Sequence, residues 1–402
     1  MSGKAVNMAE AVETKILNES PLDSIHQRLG ATMSEHSGWS VPESYGEVLL
    51  EYAAVRERGA GLIDLSPRGR LLVTGTEAVQ FLNGLITNDM KTLAVNSWMP
   101  AAFPNVQGRL IASVRVIRVK DEGTDKKEGT DRNVCPTFLI DTEAATHERV
   151  LKTIERFTLA GDFRVTDVTG QTAMLSIQGI KAVDIVRTVL GDSPADLLPN
   201  QAIQIAWPRG DENNSPADVT NSVTIMRASH TSTDGFDLVV NADQAAGLWD
   251  ALQNAGARPV GYAALEILRI EAGVPRYGVD MDETNVVTET ALDDAVSFTK
   301  GCYVGQEIIA RIKYRGHVAK KLTGVMFEQA VKVEAGAPIK SADGKDAGRI
   351  TSVAYSPHLG RTIALAYLKY DYIAFGTSVR IAPGDQEFAA RVTELPFVPR
   401  TA

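Results

Sequence analysis

The last quarter of the chain differs from the rest in how its apolar residues are spaced. After His317 the sequence consists of short alternating segments separated by glycine and proline, such as KLTGVMF, GRITSVAYS and RTIALAYL. Alternation with a period of two is typical of half-buried strands, and a series of short strands favours a barrel-like fold. We therefore predict a C-terminal β-barrel domain over residues 317–402.

The region before His317 alternates strands, helices and hairpins. The run WMPAAF, followed by PNVQG and RLIASVRVIRV, predicts a hairpin whose turn has Asn and Gly chemistry. Because the long parallel crossovers of a doubly wound sheet are absent, the pattern favours antiparallel α+β structure. We predict a flexible N-terminus over 1–20, an α+β domain over 21–165 and a second one over 166–316. Two polar inserts, 121–133 and 208–221, are predicted to be surface loops.

Charge and hydropathy exclude several classes of protein. The 402 residues include 41 basic and 50 acidic side chains, a net charge of -9, which argues against a general affinity for nucleic acids or anionic membranes. No apolar run approaches the roughly 20 residues of a membrane span. The first 20 residues have neither the apolar core of a secretory signal nor the arginines of a transit peptide. We therefore expect a cytoplasmic protein with no membrane and no direct nucleic-acid partner.

The cysteines and histidines do not predict a metal site. Cys135 and Cys302 are the two cysteines, and no CxxC motif occurs. This usage is typical of a reducing compartment, and two thiols cannot supply the four of an ordinary iron–sulfur site. The six histidines form no HxxxH or HExxH pattern. We predict no resident metal.

The run KGCYVGQE, residues 300–307, is the strongest candidate for a chemical site. It places Cys302 beside Lys300 and just before a predicted helix that continues to Gly316. A cation and a helix N-terminus both favour the thiolate, which is the reactive form of cysteine. The structural alternative is a cysteine that only packs in a glycine turn, since free cysteine is among the most buried residue types.

Several runs resemble the glycine-cleavage T-protein superfamily of folate-dependent aminomethyltransferases. They occur in the family's order and are PLDSIHQRLGATMSEHSGWSVPESYG, VRERGAGLIDLS, TGTEAVQFLNGLITND, DGFDL, LRIEAGVPRYG and SPHLGRTIALAYL. The KGCYVGQE run and its RIKYRG continuation are instead similar to the YgfZ branch, folate-binding proteins linked to the maintenance of iron–sulfur enzymes. The resemblance implies a three-domain cloverleaf of two antiparallel α+β (ferredoxin-like) parts, which can interleave along the chain, and a C-terminal β-barrel around a central folate pocket.

The residue on which aminomethyl transfer depends in the T-protein family has no match in this chain. In the family an aspartate lies in the strand after the hairpin turn, where it assists proton movement at a folate nitrogen. Here that strand is GRLIASVRVIRV, and no Asp or Glu occurs between Asp89 and Asp121. The matching position is Ala112, or Ser113 if the register differs by one residue. Neither side chain replaces a carboxylate as a base.

The resemblance also gives a set of candidate site residues. His230 and Leu265 match pocket positions of the family, although the family's own residues differ there, and tetrahydrofolate or a derivative is the implied cofactor. Arg68, Arg227 and Arg311 are candidates to bind the glutamyl carboxylates of folate, because a guanidinium pairs well with a carboxylate; the alternative is that each is an ordinary surface arginine. Cys302 is the candidate thiol, and the remaining motif candidates are Lys300, Gly301, Tyr303, Gly305, Gln306 and Glu307.

Three functions remain open at this level. The first is a tetrahydrofolate-binding protein of the YgfZ type that supports assembly or repair of iron–sulfur enzymes, with those enzymes or assembly proteins as partners. The second is an aminomethyltransferase or another one-carbon transferase that uses a different base. The third is an interaction scaffold whose basic run, 311–321, docks an acidic partner.

Overall fold

The computed structural model describes residues 16–123, 134–156, 161–207, 222–384 and 386–400. The first 15 residues of the predicted flexible N-terminus lie outside this set. Most of the two predicted surface loops, 121–133 and 208–221, also lies outside the described residues. In these parts of the chain, no helix has the length and hydropathy that a membrane span needs.

A five-stranded antiparallel sheet forms the first body of the fold. Its order is β5-β6-β7-β4-β8. The strands are β4 (Gly69–Thr74), β5 (Ser97–Pro104), β6 (Leu110–Gly123), β7 (Val134–Thr142) and β8 (Arg164–Asp167). Helices α3 (Ala78–Leu85) and α4 (His147–Glu155) bury their apolar faces against one side of this sheet. The predicted hairpin is confirmed as β5 and β6, which pair through Phe103 and Ala112.

A six-stranded sheet forms the second body. Its order is β10-β11-β12-β9-β3-β13, antiparallel except for the β13–β3 pair. The strands are β3 (Gly61–Asp64), β9 (Thr172–Gln178), β10 (Ala202–Ala206), β11 (Ser222–Arg227), β12 (Gly235–Asn241) and β13 (Arg258–Pro259). Since β3 precedes the whole five-stranded sheet in the chain, the two bodies interleave. The expected boundary at 165/166 falls inside β8, so no single cut separates them.

Helices complete the second body and join the two sheets. Helices α5 (Ala182–Leu190) and α7 (Ala245–Asn254) cover the outer face, where Trp249 is fully buried. The inner face packs against the five-stranded sheet through an apolar layer that includes Ile117 and Met174. Helix α8 (Tyr262–Glu271) contributes Leu268 to the same layer. Shorter helices are α1 (Asp23–Arg28), α2 (Val48–Ala53), which continues as a π-turn over Ala54–Arg58, and α6 (Asp192–Ala195).

The predicted C-terminal barrel is confirmed. Six strands close in the order β14-β17-β16-β15-β18-β19. They are β14 (Lys320–Phe327), β15 (Pro338–Ser341), β16 (Asp346–Ser356), β17 (Arg361–Lys369), β18 (Ser378–Ile381) and β19 (Phe388–Thr393). Ile270 of α8 packs against the outer face of this barrel beside Ile363. The remaining strands and α-helix of the described residues are a separate two-stranded hairpin, β1 (Thr32–His36) and β2 (Trp39–Ser44), and helix α9 (Gln306–Arg315).

Candidate functional site

A cavity of about 360 Å³ lies between α8, the β1–β2 hairpin and the ends of β3 and β7. This volume is within the range of small-molecule pockets. Its walls are made by segments that are far apart in the sequence. The charged and aromatic residues that line it are Glu35, His36, Arg68, Glu143, His230, Tyr262, Glu266, Arg269, Arg276 and Tyr277.

A network of buried charges supports one wall of the cavity. The guanidinium of Arg68 binds Asp141 through two contacts, Nε–Oδ1 at 2.7 Å and Nη2–Oδ2 at 2.8 Å. Arg115 links Asp141, at 2.7 Å, to Asp237, at 2.5 Å, and His230 binds Asp237 at 2.9 Å. Burial alone would raise the pKa of Asp141, but Arg115 and Arg68 outweigh it and lower the pKa to about 2. Burial would likewise raise the pKa of Asp237, but His230 and Arg115 lower it, so both carboxylates are ionised at neutral pH and the wall is charged.

Glu143 differs from these paired carboxylates. It follows β7, and the backbone N–H of Tyr277 donates to both of its oxygens at 3.2 Å. Burial raises the pKa of Glu143, and the nearby charges of Arg68 and Arg276 offset only part of this effect. A carboxyl group of this kind can accept from paired N–H donors or exchange a proton with a bound molecule.

A second set of charges comes from α8 and the segment after it. Arg269 holds Glu266 through contacts of 2.8 and 2.5 Å, and it also binds Asp280 at 2.6 Å. Its Nη2 donates to Ser352 of the barrel at 2.6 Å, so the cavity wall is fastened to the C-terminal domain. Arg276 approaches Glu266 at 3.3 Å and keeps a third of its side chain exposed, which leaves donors directed at solvent or a ligand.

The hairpin β1–β2 provides the remaining wall. The Nε2 atom of His36 contacts the carboxylate of Glu43 at 3.1 Å, which orients the imidazole ring. The centroid of this ring lies 5.1 Å from that of Tyr262. The hydroxyl of Tyr262 donates to the backbone oxygen of Asp64 at 3.1 Å. An aromatic ring beside charged groups suits a flat, polar ligand.

The structure of β6 shows which of the two positions that match the family's aspartate, Ala112 or Ser113, lies on the cavity side. Ala112 is fully buried and belongs to the apolar layer beneath α3 and α4. Successive side chains of a strand point to opposite faces, so Ser113 shares the other face with Arg115. Because Arg115 reaches Asp141 and Asp237 between the two sheets, this is the face on the cavity side. From Leu110 to Lys120 this face carries the hydroxyl of Ser113 and the guanidinium of Arg115, and that stretch of β6 contains no carboxylate.

Comparisons with known proteins match nearly the whole of this fold. A family model described as the GCVT N-terminal domain matches residues 22–300, and one described as the glycine cleavage T-protein C-terminal barrel domain matches residues 320–399. The chain belongs to the glycine cleavage T-protein family. This agrees with the resemblance found in the sequence.

Individual relatives of the family extend over the full length. A protein named aminomethyltransferase from Shouchella clausii is 30% identical over 399 residues, which cover 97% of this chain and 100% of the relative. One of the same name from Rubrobacter xylanophilus is 31% identical over 392 residues, 97% and 96% of the two chains. The crystal structure of glycine cleavage system aminomethyltransferase T from Bartonella henselae has a TM-score of 0.83 at 23% identity, covering 96% and 99%. The narrower YgfZ assignment stays a prediction.

Three of the residues predicted from the family resemblance line the cavity, namely Arg68, His230 and Leu265. Two predicted arginines do not line it. The guanidinium of Arg227 pairs with Asp234 at 2.8 Å and stacks over the ring of Phe236 at 4.6 Å. Arg311 is exposed on α9. Neither arginine lines this cavity, and a role of either in folate binding stays a prediction.

The KGCYVGQE residues of this T-protein-family chain also lie outside the cavity lining. The ammonium of Lys300 donates to the carbonyl oxygens of Asn83, Ile86 and Asn88 at 2.7, 2.9 and 2.7 Å, where α3 ends. Such a cation stabilises the carbonyls that a helix C-terminus leaves without partners. These three contacts give Lys300 a structural role, and an effect of its charge on the neighbouring thiol stays a prediction.

The rest of the motif is divided between anchoring and exposed positions. Tyr303 is buried, and Gly305 precedes α9 with a φ of 77°. The predicted helix after the motif is confirmed. The exposed or half-exposed members are Gly301, Cys302, Gln306 and Glu307. Because Cys302 lies four positions before Gln306, the first residue of α9, the thiol is not in the helix's first turn, and its chemical role stays a prediction.

Sequence reasoning missed Glu143, Arg276 and Tyr277. Glu143 stands in the run IDTEAAT directly after a strand, where a carboxylate is common and carries no distinctive spacing. Its cavity position depends on a contact with Tyr277, 134 residues later. Within the described residues, no group of three or more His, Cys, Asp or Glu side chains could hold a metal ion.

Proposed function

We propose that this chain is a tetrahydrofolate-binding protein of the YgfZ type, which supports the assembly or repair of iron–sulfur enzymes and does not transfer aminomethyl groups. One observation carries the proposal: the face of β6 on the cavity side bears Ser113 and Arg115, while the cavity itself keeps charged groups that suit folate. A T-protein-like pocket is thus retained without the carboxylate on which the family's transfer step depends.

The residues of the cavity fit tetrahydrofolate in charge and size. Glu143 has two oxygens and a single backbone donor, so it would hold the paired N–H groups on the edge of the pterin ring. Arg276 would bind a glutamyl carboxylate, since its fork is only partly used by Glu266. Arg68 is less suited to that task because Asp141 occupies two of its donors. When bound, tetrahydrofolate supplies ring nitrogens that carry one-carbon groups.

The cellular part of the proposal rests on the similarity of KGCYVGQE to the YgfZ branch. The test is deletion of the gene, followed by assays of iron–sulfur enzymes and complementation with wild type or Cys302→Ala. We expect reduced activities that wild type restores and Cys302→Ala does not. Normal activities in the deletion strain would contradict this part.

Aminomethyl transfer is the second candidate function. It is favoured by the full-length relatives named aminomethyltransferase and by Glu143, whose raised pKa would suit a general acid or base. The assay supplies tetrahydrofolate and an aminomethyl-loaded lipoyl carrier protein, and measures methylene-tetrahydrofolate. Turnover that Glu143→Gln abolishes, and that Glu148→Gln on the exposed face of α4 preserves, would establish this candidate instead.

A further inference from the structure

A second cavity, of about 350 Å³, shares no lining residue with the first. It lies where α2 and its π-turn meet α5, the end of α7 and β13. Its lining residues are Leu50, Ala54, Arg58, Gly59, Lys181, Asp184, Ile185, Thr188, Ala255, Gly256 and Arg258. The volume again falls within the range of small-ligand sites.

Three cationic side chains line this cavity, and backbone hydrogen bonds fix the positions from which they extend. Lys181 donates its backbone N–H to the carbonyl oxygen of Gly59 at 2.9 Å, and Arg258 donates to that of Ala60 at 2.9 Å. Arg58 immediately precedes these two acceptors in the chain. Three positive side chains are thus attached next to one another on segments from three parts of the sequence.

These cations are exposed, and none of them forms an ion pair in the part of the chain that the structure describes. No ion pair or side-chain hydrogen bond there involves Arg58, Lys181 or Arg258. Asp184 is the one carboxylate among the lining residues, and it pairs with Arg187 at 3.7 Å. In a chain with a net charge of -9, such a group of like charges is a local exception that a bound anion would relieve.

The same place exposes large apolar side chains. Leu50 lines the cavity and is 56% exposed, its neighbour Leu49 is 57% exposed, and Ile180, next to Lys181, is 50% exposed. Ile185 of α5 adds a further apolar side chain inside the cavity. Grouped exposed apolar residues mark interaction sites more often than scattered ones do.

We propose that this cavity binds a small amphiphilic anion, with a phosphate or carboxylate head on a short alkyl chain. Arg58, Lys181 and Arg258 bind the head, because guanidinium and ammonium groups form charge-assisted hydrogen bonds with such oxygens. Leu50 and Ile185 contact the chain. This site is independent of the folate cavity and of the function proposed for it.

The test is calorimetric titration of the full-length protein with octyl phosphate, octanoate and inorganic phosphate. We expect saturable binding of octyl phosphate, octanoate or both, and weaker binding of inorganic phosphate, because it lacks the alkyl chain. The two alkyl probes also show which head group is preferred. The triple variant Arg58→Ala/Lys181→Ala/Arg258→Ala is expected to weaken binding of the alkyl probes at least tenfold. Leu50→Ser is expected to weaken the binding of the alkyl probes without changing the affinity for inorganic phosphate.

The control removes three exposed lysines outside the cavity, Lys91→Ala/Lys152→Ala/Lys345→Ala, and so makes the same change in net charge. It should bind the alkyl probes as wild type does. Circular dichroism checks folding, and Arg58→Gln alone replaces the triple variant if that variant does not fold. The proposal is overturned if neither alkyl probe binds saturably, if the control loses as much affinity as the cavity variant, or if inorganic phosphate binds as tightly as both alkyl probes.

Discussion

The ammonium group of Lys300 lies 2.7 Å from the carbonyl oxygen of Asn83, near the C-terminus of α3. Lys300, the first residue of KGCYVGQE, therefore attaches the loop that carries this motif to the body formed by the five-stranded sheet. Two further residues of the motif extend this attachment, since Tyr303 is buried and Gly305 packs on the turn between β5 and β6. The motif thereby presents Cys302 to solvent on an anchored loop.

Replacing Gly305 should show how closely this loop is attached. A Cβ at Gly305 would lie 2.3 Å from the carbonyl oxygen of Asn105, and the φ of 77° is unfavourable for other residues. We expect Gly305→Ala to lower the free energy of unfolding by about 1–3 kcal/mol, measured by denaturant titration. Gly301→Ala is the matched control, because a Cβ there has no neighbour within 4 Å. Equal losses in the two variants would refute the close packing.

An acid introduced into β6 should distinguish its two faces. Ala112→Asp would bury a charge in the apolar layer below α3 and α4, and we expect it to cost at least about 3 kcal/mol of stability or to prevent folding. Ser113→Asp would place the carboxylate on the face of Arg115 and should be tolerated much better. Thermal unfolding of both variants checks this. The opposite order of stability would mean that the register of β6 is wrong.

The buried network predicts a specific dependence on pH. The pKa of Asp141 is lowered from 3.8 to about 2, so its ionised form contributes about 2 kcal/mol above the pKa of the unfolded chain. This contribution is lost as the pH falls through the folded-state value. Asp141→Asn should therefore be destabilised near neutral pH by about 3–5 kcal/mol, because Arg68 and Arg115 lose a buried partner. The difference in free energy of unfolding between wild type and Asp141→Asn should become smaller as the pH falls from about 4 toward 2.

Denaturant unfolding at a series of pH values measures this difference. Asp250→Asn is the control, because Asp250 forms an exposed pair with Arg28. An exposed pair contributes little, so that variant should stay close to wild type at every pH. A disadvantage of Asp141→Asn that does not change between pH 4 and the lowest accessible pH would count against the assigned pKa.

The two cysteines should differ in their accessibility to reagents. Cys302 is exposed and Cys135 is half-buried. We expect a bulky maleimide to modify Cys302 first in the native protein, as identified by peptide mass spectrometry. Because the motif lies outside the cavity lining, this modification should leave tetrahydrofolate affinity unchanged. Loss of folate binding on modification would instead connect the thiol to the pocket.

Much of the fold could be predicted from local patterns. Alternation after His317 predicted the barrel, the Asn and Gly turn predicted the β5–β6 hairpin, and the segment after Gly305 predicted α9. These elements depend on neighbours in the sequence, so their signals are local. The family resemblance implied only that the two α+β parts can interleave, and the pairing of β3 with the second sheet was not predicted, because strand pairing over more than 100 residues leaves no local pattern.

The site was less predictable for the same reason. Glu143 and Arg276 reach one cavity from segments joined only by tertiary contacts, and neither belongs to a motif with a mechanism of its own. The structural role of Lys300 was not predicted, because its neighbour Cys302 suggested an electrostatic one. Its hydrogen-bond partners are backbone carbonyls more than 200 residues away, and a sequence does not show which carbonyls lack partners.

The central claim is that the cavity at Glu143 binds tetrahydrofolate, and calorimetric titration of the full chain tests it most directly. We predict saturable one-site binding for wild type and for the control Glu148→Gln, with at least about tenfold weaker binding for Glu143→Gln, because the amide leaves one acceptor oxygen where the carboxyl group has two. No saturable binding to wild type, or equal affinity in wild type and Glu143→Gln, would contradict the account.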